Sequence, residues 1–228
     1  MDIDIRKAII QTISTSDSLQ RTKEIFAKIP ERSFHAQIHI LYDLRTVLGP
    51  EPKTYLEIGT YCGASASLLL SHPYPTTVIC VDPMNLDPSH YRGSLPQRET
   101  IEKNISVYPN SDQVTLHQNL SNDPKLIEEL QAENLQIDLL FIDGDHRYDA
   151  VLSDFHLFAP FVASGGFIVF DDYYDQAHSP EVRPAVNDLV KTLLEDKIYS
   201  IFGPIPNLQK VLVPSQQKAL GEFVLYKN

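Results

Sequence analysis

The chain has 228 residues, of which 43% are hydrophobic and 21% are charged, a composition typical of a folded globular protein. This composition excludes intrinsic disorder as a description of the whole chain. Lys and Arg number 19 against 30 Asp and Glu, so the formal net charge is −11. An acidic balance argues against a nucleic-acid partner and against docking on an anionic membrane, because both need a basic surface.

Two cysteines, Cys62 and Cys80, are too few for a disulfide framework or for a zinc site of four thiolates. We expect both to be reduced and buried. The first residues, MDIDIRKAIIQ, lack the basic start and continuous apolar stretch of a signal peptide. No apolar run approaches the roughly 20 residues that span a bilayer. These observations predict a cytoplasmic protein.

Apolar residues at helical spacing predict helices from residue 3 to about residue 48, punctuated by Pro30 and ended at Gly49-Pro50. Short apolar strands then alternate with helices. The predicted strands are 54–59, 77–82, 113–118, 137–143, 166–172, KIYSIFG and GEFVLYK, and the predicted helices are 63–71, 96–108, 123–134, 148–162 and 180–196.

Strand–helix alternation indicates a parallel sheet with helices on both faces, and the continuously apolar strands agree with burial on both sides. The last two strands have little between them and are expected to pair antiparallel. We therefore predict an α/β fold: a Rossmann-like, doubly wound, mostly parallel seven-stranded sheet with an antiparallel last strand, plus N-terminal helices. Ligands bind such sheets beyond the carboxyl ends of the strands.

The first strand ends in a turn that contains Glu57, Gly59 and Gly63. Two glycines allow a sharp turn and close approach of backbone to a ligand, and the following helix offers free N–H groups. Tyr61 stands where the dinucleotide pattern G-x-G-x-x-G needs its second glycine. The turn is either one side of a cofactor site or a tight strand–helix connection without a ligand.

The second strand ends in Asp82, 23 residues after Gly59. An acidic residue at about this offset is placed to accept hydrogen bonds from ribose hydroxyls. The alternative is a simple turn initiated by Asp82 and Pro83.

Acidic residues follow the fourth and fifth strands, as Asp143 on one and Asp171 and Asp172 on the other. Neighbouring carboxylates repel unless a positive charge lies between them, and a hard divalent cation such as Mg²⁺ takes oxygen ligands. Asp145 competes for the same role. A solvated acidic rim, or aspartates that cap the next helices, is the alternative. His146 lies beside this rim and is a candidate general base, since its pKa is near neutrality.

From Thr54 to about Val190 the chain resembles class I S-adenosylmethionine-dependent methyltransferases. The segment IDGDHRYDAVLSDFHLFAPFVASGGFIVFDDY, followed by EVRPAVNDL, is similar to the branch of macrocin-type sugar O-methyltransferases and cephalosporin-hydroxylase-like proteins. The resemblance implies Asp143, Asp171 and Asp172 as Mg²⁺ ligands and His146 as the base. It also implies a cofactor site lined by Glu57, Gly59, Thr60, Tyr61, Gly63, Ser65, Asp82, Asn119 and Asp143. Gln118 and Leu120 are the alternatives to Asn119 for the contact with the adenine ring.

The resemblance implies residues 51–228 as a class I methyltransferase domain and residues 1–50 as a helical cap or lid. Residues 84–95, like the lid, are expected to cover the active site. The predicted function is Mg²⁺-dependent transfer of the methyl of S-adenosylmethionine to a hydroxyl of a small molecule or glycan, a sugar or other vicinal diol. The alternatives are a catechol-type phenol O-methyltransferase, a non-catalytic cofactor-binding relative, a nucleotide-dependent oxidoreductase and a metal-dependent hydrolase. A homo-oligomer is a further expectation, since the amphipathic N-terminal helices offer an apolar face.

Overall fold

A computed structural model describes residues 2–29, 36–84, 98–206 and 221–228. Residues 85–95, part of the segment expected to cover the active site, lie outside these ranges. In chain order the elements are α1 (Asp2–Thr15), α2 (Ser18–Lys28), α3 (His39–Val47), β1 (Lys53–Ile58), α4 (Ala64–Leu70), β2 (Thr76–Val81), α5 (Arg98–Ile105), β3 (Val114–His117), α6 (Pro124–Ala132), β4 (Ile137–Ile142), α7 (Tyr148–Phe158), β5 (Val162–Phe170), α8 (Val182–Asp196), β6 (Tyr199–Pro206) and β7 (Gly221–Lys227). Short 3₁₀ turns lie at Ala36–Ile38, Ser111–Gln113 and Ala159–Phe161.

The seven strands form one sheet in the order β3-β2-β1-β4-β5-β7-β6. Strands β1 to β5 pair parallel to one another, while β7 pairs antiparallel with both β5 and β6. The predicted fold class, a mostly parallel seven-stranded sheet with an antiparallel last strand, is confirmed. The antiparallel insertion of β7 brings its first residues to the edge where β4 and β5 end.

The sheet is buried on both faces, which explains why its strands are continuously apolar. Tyr55 and Phe141 point into a core shared with α1 to α5, whereas Leu56 and Leu140 point into a core shared with α6 to α8. All four side chains are fully buried. Successive strand residues therefore alternate between two packed layers, as a doubly wound fold requires.

The N-terminal helices pack on the first face of the sheet. Ile9, Ile13, Ile25 and Leu41 are buried in the same core as Tyr55. A buried polar cluster also joins α2 to α3: Ser18 Oγ donates to Asp43 Oδ2 at 2.9 Å, and His39 Nδ1 lies 3.0 Å from the same oxygen. The division of the chain at residue 50 stays a prediction.

Most boundaries shift by one to three residues from the predicted ones, and two shift by four. Helix α7 ends at Phe158 rather than 162, because Pro160 has no backbone N–H to continue an α-helix. Strand β5 begins at Val162, before the predicted 166, and its pairing with β4 is irregular near its start. Gly165, at a φ of +90°, takes up this irregularity.

Cys62 and Cys80 are buried and free, as predicted. Among the helices of the described ranges, none has the length and apolar character to cross a membrane.

Candidate active site

Residues that directly follow four parallel strands meet at one edge of the sheet. Gly59 follows β1, Asp82 follows β2, Asp143 follows β4 and Asp171 follows β5, and all four line one cavity of about 1220 Å³. The backbone continues the strand pairing here, since Asp143 N–H donates to Ile58 O at 2.9 Å. The cavity is therefore built on rigid strand ends, where open α/β sheets bind ligands.

Gly59 lies against the backbone that follows β4. Its φ is +89°, and a Cβ at this position would lie 1.9 Å from the carbonyl oxygen of Asp143. Gly63 also has a positive φ, +78°, and is the N-cap residue of α4. The first glycine is thus required by the neighbouring strand's backbone as well as by the turn.

Asp82 ties the end of β2 to the turn after β1. Its side chain is 1% exposed; Oδ2 accepts a hydrogen bond from Tyr61 N–H at 2.8 Å and Oδ1 accepts one from Met84 N–H at 2.5 Å. A carboxylate oxygen has a second lone pair, so these bonds leave acceptor capacity toward the cavity that Asp82 lines.

The residues predicted for the cofactor site divide into two groups. Gly59, Tyr61, Asp82 and Asp143 line the cavity. The other five do not line it: Glu57, Thr60, Gly63, Ser65 and Asn119. Glu57 is 0% exposed and accepts a hydrogen bond from Tyr55 Oη at 2.7 Å, and burial raises its pKa. The Asn119 amide donates to Asp123, the N-cap of α6. A cofactor role for these five residues stays a prediction.

Asp143, His146 and Asp171 each offer one ligand atom, and these atoms lie within 4.8 Å of one another. His146 Nε2 is 3.3 Å from Asp143 Oδ1, and its Nδ1 is 3.6 Å from Asp172 Oδ2. The imidazole therefore lies between Asp143 and Asp172. The three predicted aspartates do share one rim, but Asp172 is on the far side of His146.

Ser179 fixes the orientation of His146. Its Oγ donates to Asp172 Oδ2 at 2.7 Å and lies 2.9 Å from His146 Nδ1. Because the hydroxyl has only one proton and gives it to the carboxylate, His146 Nδ1 must be the donor in the second bond. The nitrogen that faces Asp143 and the cavity is then Nε2, the one that is free to gain and lose a proton.

Burial and the proximity of the carboxylates control protonation here. Burial, with help from Asp143, raises the pKa of Asp171 to about 7, and burial with help from Asp171 raises that of Asp172 to about 6. Burial acts to lower the pKa of His146, but the surrounding carboxylates outweigh it and raise that pKa to about 9. In this arrangement the imidazolium is the positive charge that balances the aspartates.

Asp145, the competing ligand, is engaged elsewhere. Both of its oxygens accept hydrogen bonds from Arg147 Nε, at 3.0 and 2.8 Å, and one also contacts the terminal guanidinium nitrogen. This pair lies on the outer part of the cavity wall, so Asp145 is oriented by Arg147 and stays outside the closest cluster of potential ligands.

Sequence reasoning missed Asp154, Glu222 and Ser179. Asp154 is 2% exposed, lines the cavity and accepts from Ser121 Oγ at 2.6 Å, and burial raises its pKa to about 7. An acid within the buried stripe of α7 was a usable signal for Asp154. Glu222, an acid at the start of an apolar strand, gave a similar signal. Ser179 lies in an irregular segment and gave none.

A family model described as "Methyltransferase domain" matches residues 56–173. A relative from Acanthamoeba polyphaga mimivirus, "Uncharacterized protein R132", is 35% identical over 214 residues, which cover 90% of this chain and 93% of that protein. The chain belongs to the family of methyltransferase-domain proteins.

Solved structures share the fold. The Bacillus cereus O-methyltransferase in complex with SAH has a TM-score of 0.61 at 17% identity, covering 92% of this chain and 90% of that one. TomG from Streptomyces achromogenes, an O-methyltransferase in complex with SAM, has a TM-score of 0.60 at 17% identity. The match covers 92% of this chain and 88% of TomG. MycE, a methyltransferase from the mycinamycin biosynthetic pathway in complex with Mg and SAH, has a TM-score of 0.58 at 19% identity. This chain is 93% covered in that match but spans only 55% of MycE.

Proposed function

We propose that the protein transfers the methyl group of S-adenosylmethionine to a hydroxyl oxygen of a sugar or other vicinal diol, with Mg²⁺ bound at the acidic rim. The observation that carries the proposal is a shared cavity. Gly59 and Asp82 form one part of its wall, and Asp143, His146 and Asp171 form another. A methyl donor held at the first part would face an acceptor held at the second.

The cofactor half of the cavity has suitable chemistry. Asp82 offers acceptor capacity for ribose hydroxyls, and Leu120 and Ser121 supply an apolar and a polar contact beyond β3. Asp154, held by Ser121, adds a buried carboxyl. The volume of about 1220 Å³ exceeds that of a usual single-ligand pocket, which suits a cofactor together with an acceptor.

The acidic rim also fits a divalent cation. Asp171 is 2% exposed, and its Oδ1 meets no N–H or O–H donor within the described part of the chain, while the carboxyls of Asp143 and Glu222 lie against its side chain. An unpaired, buried carboxylate oxygen is costly, and a cation would offset that cost. When bound, S-adenosylmethionine would supply an electrophilic methyl group, and Mg²⁺ would be held by Asp143 and Asp171 and would polarise the acceptor hydroxyl, while Asp172 stays bound to Ser179 beside His146.

The protein's own residues align the acceptor and accept its proton. His146 Nε2 faces the rim and accepts the hydroxyl proton, while Ser179 keeps Nδ1 protonated and the ring fixed. Arg147, Tyr148 and Glu181 line the outer wall. This polar wall favours a polyhydroxylated acceptor over a flat phenol, because it offers hydrogen-bonding groups in place of an apolar slot.

We expect Asp82→Ala to weaken binding of S-adenosylhomocysteine by about 10-fold to 100-fold, the size expected for losing hydrogen bonds to a charged acceptor. The measurement is isothermal titration calorimetry with the purified protein. The physical reason is that Asp82 is the buried acidic residue of the cavity wall beyond β2.

Asp138→Ala is the matched control. Asp138 lies on β4 at the opposite edge of the sheet and also accepts a backbone hydrogen bond, from Thr54 N–H at 2.9 Å. Both substitutions remove a carboxylate that orders backbone, but only Asp82 lines the cavity. Equal affinities for the two variants would remove Asp82 from the cofactor site.

Added Mg²⁺ should raise the melting temperature more at about pH 8.5 than at about pH 5.5. The raised pKa values of Asp171, Asp172 and His146 mean that the folded, metal-free protein holds protons that the unfolded chain releases. The protonated carboxyls of Asp171 and Asp172 make their full contribution to folding stability below about pH 4, and this contribution is lost as the pH rises through 6 to 7. The contribution of protonated His146 is complete below about pH 6.5 and is lost as the pH rises through about 9.

A cation replaces those protons, so its stabilising effect grows as they leave. Differential scanning fluorimetry with and without Mg²⁺ across this pH range measures the effect. Asp171→Asn should abolish the Mg²⁺ shift, because it removes a buried ligand without changing size. A shift that is independent of pH, or one that survives in Asp171→Asn, would contradict a metal at this rim.

A further inference from the structure

One part of the cavity wall, which we call the β3 end, is formed by the loop after β3 together with helix α7. Residues 120–122 line it from the loop, and Ala150, Ser153 and Asp154 line it from the helix. Ser121 Oγ donates to Asp154 Oδ1 at 2.6 Å, so the loop and the helix are joined here. The β3 end therefore combines small and apolar side chains with one carboxyl.

The strand order decides which part of S-adenosylmethionine reaches the β3 end. Asp82, the proposed ribose contact, follows β2, and β2 lies between β3 and β1 in the sheet. The methyl group must point toward the acidic rim after β4 and β5, on the β1 side of Asp82. Because the base and the sulfonium leave the ribose at opposite ends, the adenine then extends toward β3.

Asp154 is a buried carboxyl that nevertheless faces the cavity. It belongs to the buried stripe of α7 with Val151 and Phe155, and it is 2% exposed. The hydrogen bond from Ser121 uses one acceptor position of Oδ1, whereas a carboxylate has about four. Burial of a carboxyl costs free energy that further hydrogen bonds offset, so the remaining acceptor positions favour a ligand that donates.

Gly144 keeps space around the second oxygen of Asp154. A Cβ at position 144 would lie 3.0 Å from Ile58 Cγ2 and 3.3 Å from Asp154 Oδ2. Gly144 is not one of the glycines with a positive φ, so its backbone conformation does not demand glycine. Any larger residue would crowd the carboxyl at a point where both residues line the cavity.

We infer that Asp154 accepts a hydrogen bond from the exocyclic amino group of the cofactor's adenine and so selects adenine as the base. This inference rests on the proposed use of S-adenosylmethionine and adds a contact from α7, outside the segment after β3 where the sequence predicted the adenine contact. An amino N–H is a donor that either form of a carboxyl can accept, so the contact does not depend on the charge of Asp154. A site built to pair with an N–H group rejects a ligand that lacks it.

Two ligands test the inference by isothermal titration calorimetry. One is S-adenosylhomocysteine, and the other is its 6-deamino analogue, in which hydrogen replaces the amino group of the purine. The wild type should prefer S-adenosylhomocysteine by about 10-fold to 100-fold, the size expected for a hydrogen bond to a charged acceptor. In Asp154→Ala this preference should fall to within a few-fold, because the analogue then loses no partner.

Asp43→Ala is the matched control. Asp43 is likewise a buried helix aspartate that accepts from a serine hydroxyl, Ser18 Oγ at 2.9 Å, but it does not line the cavity. Its substitution should leave the preference between the two ligands at the wild-type value. If Asp154→Ala does not fold, Asp154→Asn keeps an oxygen acceptor without the charge and should show a preference between those of alanine and wild type.

The outcomes separate this inference from the proposed function. A wild type that binds S-adenosylhomocysteine, with an undiminished preference in the Asp154 variants, overturns the role of Asp154 and leaves the cofactor site standing. A wild type that binds neither ligand overturns both. If Asp154→Ala weakens both ligands by the same factor and lowers the melting temperature, Asp154 only supports the fold, and the inference is wrong.

Discussion

Gly59→Ala is expected to destabilise the protein by on the order of 4 kcal/mol or more, at the upper end of single-residue effects. A Cβ at this position would lie 1.9 Å from the Asp143 carbonyl oxygen and 2.6 Å from its carbonyl carbon. These are backbone atoms of a paired strand, so no side-chain rotation relieves the overlap. Strands β1 and β4 must separate at the rim, and with them the residues that the two strands position.

Gly49→Ala is the control that separates the cost of the steric clash from the cost of a positive φ. Gly49 has a φ of +88°, almost the same as that of Gly59, but nothing lies within 4 Å of its added Cβ. This variant should cost only about 1 kcal/mol, the strain of alanine in the left-handed region. Urea unfolding of both variants gives the comparison. Similar losses for the two would show that the strands tolerate the clash by a small shift.

His146→Ala is expected to lower turnover by about 10²-fold to 10⁴-fold, the usual range for a lost general base. Cofactor affinity should change little, because the imidazole contacts Asp143 and Asp172 and is expected to face the acceptor. In the wild type the rate should rise with pH as His146 loses its proton. The carboxylates hold its pKa at about 9 in the metal-free protein, and a bound cation should move the rate profile to lower pH.

The control for this substitution is His156→Ala, which removes an exposed histidine of α7 and should leave turnover unchanged. Metal affinity distinguishes the two possible roles of His146. If His146 acts only as a base, the Mn²⁺ affinity of His146→Ala should stay near that of the wild type. If His146 is a metal ligand, that affinity should fall. A variant that keeps its turnover but loses folding stability would make His146 a structural histidine.

The order of helices and strands followed from the sequence because local periodicity encodes it. Apolar runs such as 137–142 are read directly as strands buried on both faces, and their alternation with helices sets a parallel sheet. Because ligands bind such sheets at the strand ends, the position of Asp143 and Asp171 at one rim followed as well. These predictions need only neighbouring residues and one topological rule.

The direction of individual side chains was decided by the tertiary structure. Asp172 has a φ of +54° and is held by Ser179, so it contacts the far side of His146 and not Asp143. Glu57, predicted to line the cofactor site, is enclosed beneath it with Tyr55. Both outcomes depend on packing around a single residue, which no spacing in the sequence specifies.

By itself the sequence determined the elements, the alternation that makes the sheet, and the aspartates at its strand ends. Only the tertiary structure placed Glu222 against Asp171, 51 residues before it in the chain. That contact depends on β7 inserting antiparallel between β5 and β6 in one register. Pairing between distant strands is fixed by the packing of the whole sheet, whereas local patterns report only which face of an element is buried.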